Sequence, residues 1–111
     1  MKIMLVDDSI NTLEAFKIAL EDEGHEVIPF HYLHGKKDTD KELLETYESM
    51  KPDLCILDGL EGKALELVEE MKRKEHKRIL IYSGDEEIVN EAKKYGIESY
   101  TKQEKKILDL I

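Results

Sequence analysis

Two kinds of apolar pattern alternate along this chain, and their alternation leaves few folds open. Short unbroken apolar runs stand at Ile3–Val6, Leu54–Leu57 and Ile79–Tyr82. Runs of this length and composition suit strands covered on both faces of a parallel sheet. Val27–Phe30 and Ile97–Thr101 are weaker runs of the same kind. Between them lie segments of helical period. In 9–23, Ile10, Leu13, Phe16 and Leu20 share one face, and Gly24 is placed to end the helix. Residues 39–50 align Leu43, Leu44, Tyr47 and Met50, with Thr39 and Glu42 at capping-box spacing and Pro52 beyond. Residues 62–75 align Ala64, Leu65, Val68 and Met71, and 85–95 align Ile88, Val89, Ala92 and Tyr95 before Gly96. A short last segment, 103–111, carries Ile107, Leu108 and Ile111. A strand–helix pair repeated in this way predicts an α/β fold: a parallel sheet with right-handed crossovers and helices on both faces. In such sheets ligands bind outside the carboxyl ends of the strands.

The 111 residues suffice for one core, so 1–111 is expected to be a single domain. Seventeen basic against 26 acidic residues leave a net charge of −9, which disfavours binding to phosphate backbones and argues against a nucleic-acid partner. No apolar stretch is long enough to span a membrane, and Lys2-Ile3-Met4-Leu5-Val6-Asp7 has no leader-like pattern. A cytoplasmic protein is expected. The single cysteine, Cys55, sits in an apolar run and reads as a buried thiol. There is no P-loop and no glycine-rich dinucleotide turn. His31 and His34 read as residues of a solvated loop, His25 as the start of a strand and His76 as a helix end. The basic run Lys72–Arg78 reads as a solvated turn.

The strand ends carry the chemistry. The first strong strand ends in Asp7-Asp8, the third in Asp58, the fourth in Ser83-Gly84, and the fifth at or near Lys102. If the topology holds, these meet on one edge. Three carboxylates held together need a proton or a cation. Ligation by oxygen alone points to a hard divalent ion, and Mg²⁺ is the one that keeps waters and uses few carboxylates. Lys102 adds a second positive charge and Ser83 a hydroxyl. Together they equip the edge for a phosphoryl group. Singly, each residue has a plainer reading. Asp8 or Ser9 serves as a helix N-cap, and Lys102 is one charge in a solvated run. Their joint placement is the signal.

On these residues the chain resembles the response-regulator receiver family of two-component phosphorelays. Lys2-Ile3-Met4-Leu5-Val6-Asp7-Asp8-Ser9 is similar to the family's opening strand and acidic pair. Asp53-Leu54-Cys55-Ile56-Leu57-Asp58 resembles its acceptor strand, Tyr82-Ser83-Gly84 its hydroxyl switch, and Tyr100-Thr101-Lys102 its aromatic residue and lysine. The resemblance implies a flavodoxin-like doubly wound sheet of strand order 2-1-3-4-5. It implies Asp58 as phosphoacceptor. Asp8 and Asp58 would ligate Mg²⁺, Asp7 would help mainly through water, and the Leu60 carbonyl would also reach the metal. Lys102 would neutralise the transferring group, with Ser83 and Tyr100 as switch residues. The donor would be a sensor histidine kinase or phosphotransfer protein, and the target another protein. A monomer or weak homodimer is expected, acting as a signalling domain and not an enzyme. Two alternatives stay open: a receiver-like binding module that does not use phosphorylation, and a Mg²⁺-dependent phosphoester or nucleic-acid enzyme. Four features depart from the family pattern. Gly59-Leu60-Glu61-Gly62 is an abridged loop, Gln103 replaces a proline, Gly96 to Lys102 is one residue short, and the segment 31–38 is long while the last helix is truncated. Because strands alternate faces, a shift of one residue would send either Tyr100 or Lys102 to the other side.

Overall fold

A computed structural model describes residues 1–74 and 78–111. Glu75, His76 and Lys77 lie outside the described residues, and with them the expected helix end at His76 and part of the basic run. Five strands, β1 (Lys2–Asp7), β2 (Glu26–His31), β3 (Leu54–Leu57), β4 (Arg78–Ser83) and β5 (Ser99–Thr101), form one parallel sheet in the order β2-β1-β3-β4-β5. Helices α1 (Ile10–Asp22), α2 (Thr39–Met50), α3 (Lys63–Lys74) and α4 (Glu86–Lys94) alternate with the strands. This is the flavodoxin-like order. The winding reverses between β1 and β3, so the crevice at their carboxyl ends is the switch point.

The unbroken apolar runs follow from double coverage. Every residue of β3 is buried, and alternate side chains serve opposite layers. Cys55 and Leu57 join Tyr47 of α2, Val68 of α3 and Ala92 of α4. Leu54 and Ile56 join Leu13 and Leu20 of α1. Burial also pushes the Cys55 thiol well above its ordinary pKa, which keeps it neutral.

The helix ends follow local chemistry. Ser9 caps α1 by accepting the Thr12 amide at 3.4 Å, and Asp85 caps α4 by accepting the Glu87 and Ile88 amides. The capping box expected at Thr39 does not form. Thr39 is buried, its hydroxyl accepts the Leu33 amide at 3.4 Å, and Glu42 pairs with Lys36 instead. Gly24 follows α1 at φ 88°, as expected of a helix stop.

The last segment is no α-helix. A 3-10 turn, Ile107–Leu110, buries Ile107 and Leu110 against the α1 layer. Their spacing of three residues suits the 3-10 period. Two bonds tie this end down. The Tyr82 hydroxyl donates to the Lys105 carbonyl, and Arg78 donates to the Leu110 carbonyl at 2.8 Å while its fork grips Glu98. β5 is shorter than the expected 97–101 run. At the opposite side β2 has a single neighbour and carries Pro29 opposite Leu5. A proline is tolerated there when its missing N–H faces away from the sheet.

Candidate functional site

Pairing of β1 with β3 brings the acids together. Val6 pairs with Leu57, the Asp58 amide donates to the Val6 carbonyl at 2.8 Å, and Asp7 and Asp58 therefore leave the sheet side by side. Asp7, Asp8 and Asp58 each offer an oxygen, and these atoms lie within 4.8 Å of one another. Asp7 is only 5% exposed, and its Oδ1 accepts the Ser9 amide at 2.9 Å. Burial is the main force pushing the Asp7 carboxyl above the ordinary range. The Ser9 amide pulls it back, Asp58 pushes it up, Lys102 opposes that, and Asp8 adds to the rise.

Lys102 reaches this cluster from the far side of the sheet. Its amide donates to the Ser83 carbonyl at 2.9 Å, which carries the β5 pairing one residue further. Its amine then lies 2.9 Å from Asp58 Oδ1 and 3.7 Å from Asp7 Oδ2, and 5.5 Å from the Phe16 ring centroid. Four of the expected site residues are thus in one place.

The raised Asp7 pKa has a thermodynamic consequence. A carboxyl whose folded pKa exceeds its unfolded one binds more protons folded than unfolded. Stability then falls as pH rises from the ordinary value of 3.8 to the folded pKa, and the penalty is complete above it. Asp7→Asn removes the charge and keeps an acceptor for the Ser9 amide. In EDTA at pH 7 the variant is expected to gain on the order of 1 kcal/mol, roughly 5 °C in Tm. The gain should shrink towards zero well below that window. Melts of both proteins across pH check this, and a variant no more stable at neutral pH would contradict it.

The turn after Asp58 is tightly built. Ser83 is 3% exposed and its Oγ accepts the Asp85 amide at 3.0 Å. A Cβ at position 59 would come within 2.8 Å of that Oγ and 3.0 Å of Ile88 Cδ1, so the approach of Gly59 to Ser83 needs a glycine. Leu60 and Glu61 follow in the left-handed region at φ 51° and 55°. The Leu60 side chain is fully buried, and its amide donates to Asp58 Oδ2 at 3.2 Å. Its carbonyl, expected on the metal, accepts the Lys63 amide and closes a 3-10 turn, Leu60–Gly62, that runs into α3. The abridged loop thus spends that carbonyl on helix entry.

Tyr100 is not where the aromatic switch was expected. It pairs with Tyr82 and packs with the α1 layer, its hydroxyl donating to Glu98 at 2.8 Å and Lys105 lying over its ring. Ser83 points to the opposite layer, beside Ile88. The strand residue tied to α4 is instead Ser99, whose hydroxyl donates to the Val89 carbonyl at 3.2 Å. The one-residue shortening before Lys102 has kept the lysine and moved the aromatic.

The histidine loop also differs from expectation. His31 Nε2 is 3.2 Å from the Asp8 carbonyl oxygen. His34 is no free solvated residue, for its Nε2 lies 2.8 Å from Asp8 Oδ2 and 3.4 Å from Glu61 Oε2.

No protein-family model matches the chain, and no curated protein matches it. Solved structures do. A response regulator receiver domain protein from Clostridium thermocellum is 26% identical over 98% of this chain and 86% of that one, with a TM-score of 0.75. The response regulator TrrA from Thermotoga maritima, in complex with Mg²⁺ and BeF, is 26% identical over 90% of this chain and 84% of that one, with a TM-score of 0.69. A response regulator from Burkholderia pseudomallei with a phosphorylated aspartic acid and a calcium ion is 21% identical over 90% of this chain, with a TM-score of 0.70, and attests the fold alone. The chain spans 58% of that protein's length and 22% of a longer one, NtrX from Brucella abortus. Strand order and these likenesses together give the chain the fold of response-regulator receiver domains, and a receiver domain is the reading they support.

Proposed function

We propose that Asp58 accepts a phosphoryl group from a sensor histidine kinase or a phosphotransfer protein, and that the 111 residues act as one signalling domain without turnover of a separate substrate. The observation that supports this most is the meeting of Asp58 with the Lys102 amine at 2.9 Å beside two further acids. A carboxylate oxygen of Asp58 forms the new bond to phosphorus. The bond from phosphorus to the donor imidazole breaks, and its electron pair stays on that nitrogen. Lys102 stands where it can pass from Asp58 to the incoming oxygens, with its charge already aimed at the acceptor. Ser83, packed against Gly59, supplies a hydroxyl beside the residue that follows the acceptor.

The donor set fits Mg²⁺. It is all oxygen, it comes from three carboxylates, and the buried Asp7 is held above its ordinary pKa first by burial and then by the neighbouring Asp58 and Asp8 charges, both of which a bound cation offsets. Asp7, Asp8 and Asp58 would hold the ion, which when bound neutralises charge on phosphoryl oxygens. The complex of the Thermotoga protein with Mg²⁺ and BeF agrees with such a site. Among the described residues no helix is long and apolar enough to cross a membrane. The reading places the domain in the cytoplasm, passing its state to another protein by docking.

A second reading keeps the fold and the docking but drops the phosphorylation. The Leu60 carbonyl engaged by Lys63 favours it. Mass spectrometry after incubation with acetyl phosphate and Mg²⁺ separates the two. An adduct on Asp58 is expected. No adduct, where a control receiver is labelled, selects the second reading. Lys102→Ala is expected to slow the labelling by about 10²-fold, the usual loss for one charge-stabilising donor. An unchanged rate would remove Lys102 from the chemistry.

A further inference from the structure

We propose that Asp8, His34 and Glu61 form a second divalent-cation site, next to the three-carboxylate cluster, that takes a transition ion such as Zn²⁺ in preference to Mg²⁺. The three side chains come from three connections at the same sheet edge: the end of β1, the β2–α2 loop and the turn after β3. Each offers one ligand atom, and these atoms lie within 4.8 Å of one another. His34 Nε2 is 2.8 Å from Asp8 Oδ2 and 3.4 Å from Glu61 Oε2. Around an ion with bonds of about 2.1 Å, neighbouring ligand atoms stand about 3.0 Å apart in an octahedron and about 3.4 Å apart in a tetrahedron. The 3.4 Å distance to Glu61 is already in that range, and the 2.8 Å distance to Asp8 is short of it by about 0.2 Å. The Asp8–Glu61 gap is the one to adjust, and Glu61, with a side chain 78% exposed, has the freedom to do so.

The imidazole decides the class of ion. Mg²⁺ prefers oxygen, whereas Zn²⁺ and its neighbours in the first transition row bind a neutral histidine nitrogen strongly. The His34 ring is braced edge-on against Tyr32, with centroids 5.0 Å apart, and the Tyr32 hydroxyl is anchored on Asp40. At 38% exposure the His34 side chain leaves room for water ligands. Asp8 belongs to both groups, and a carboxylate with two oxygens is able to bridge two ions.

The inference does not rest on phosphoryl transfer, and labelling of Asp58 has no bearing on it. The full chain is titrated with Zn²⁺, and with Co²⁺ as a visible-absorption probe, while histidine ring signals are followed by NMR. His34→Ala is expected to weaken Zn²⁺ binding at least about 10-fold, while Mg²⁺ affinity changes by less than about threefold. Asp58→Asn is expected to do the reverse. Glu61→Gln should weaken Zn²⁺ binding without touching Mg²⁺. If His34 is only a counter-ion to Asp8, Zn²⁺ affinity will not respond to His34→Ala, and the proposal is overturned. It is equally overturned if Asp58→Asn abolishes the Co²⁺ spectrum, since the ion would then sit among the three carboxylates.

Discussion

Asp58→Asn is expected to abolish phosphoryl labelling by acetyl phosphate and to leave the fold intact. The amide has nearly the shape of the carboxylate but lacks the anionic oxygen that forms the bond to phosphorus. Its carbonyl still accepts the Leu60 amide, which the wild-type side chain holds at 3.2 Å. Lys102 loses its 2.9 Å partner and keeps Asp7 at 3.7 Å. One negative charge leaves a crowded cluster, so the metal-free protein should melt no lower than wild type. Circular dichroism and intact-protein mass spectrometry read the two halves of this expectation. Labelling that persists on Asp7 or Asp8 would show that the acceptor is misassigned. Loss of the fold would show that the Asp58–Lys102 pair is structural before it is chemical.

Leu60 is expected to be among the most costly positions in the chain, and to break the usual order of small substitutions. Its side chain is fully buried although its backbone is left-handed, at φ 51°. Left-handed backbone costs an L-residue about 1–2 kcal/mol. Truncating a buried leucine to alanine costs about 2–5 kcal/mol. Burial of the side chain outweighs the backbone strain, which is why leucine and not glycine stands there. Leu60→Ala should therefore lose about 3 kcal/mol, a large part of a total stability of about 5–15 kcal/mol. Leu60→Gly loses one more buried methyl, about 0.8 kcal/mol, and some backbone entropy, but it is relieved of the strain. The two variants should come out within about 1 kcal/mol of each other. At Leu57, fully buried in an ordinary strand, glycine should be worse than alanine by about 1.5 kcal/mol. Urea melts of the four variants measure both gaps. Equal gaps at 57 and 60 would mean that Leu60 carries no backbone strain.

The sheet and its four helices are legible in the described residues because periodicity reports burial, and this fold buries its three inner strands on both sides while the rim strands β2 and β5 stay partly exposed. β3 ends where its apolar run ends, and α2 spans the expected residues. The acids and Lys102 are legible for a different reason. Parallel winding puts all strand ends on one edge, so residues far apart in sequence collect there whatever the loops do. What failed depended on single-residue register or on side chains choosing among partners. Three residues of β5 are too few for a pattern to fix which face Tyr100 takes. Thr39 had a capping option and a buried alternative, and burial prevailed. His34 and Glu61 do carry a usable signal, although a solvated loop was expected at His34. They follow β2 and β3, so the edge rule that gathers the acids also brings these two to Asp8. No such rule gives the carbonyl direction of Leu60, which the entry into α3 determines.

The outermost strand bears on how the protein behaves when crowded. A parallel sheet of five strands leaves two open rims, each a template for another chain to zip onto. On one rim, Pro29 deletes a donor midway along β2, so a stranger pairing there would meet a gap in the hydrogen-bond row. The other rim is a β5 of three residues, too short to nucleate a stable addition. Self-association of this protein, where it occurs, is thereby steered away from strand-to-strand growth and towards its helical flanks.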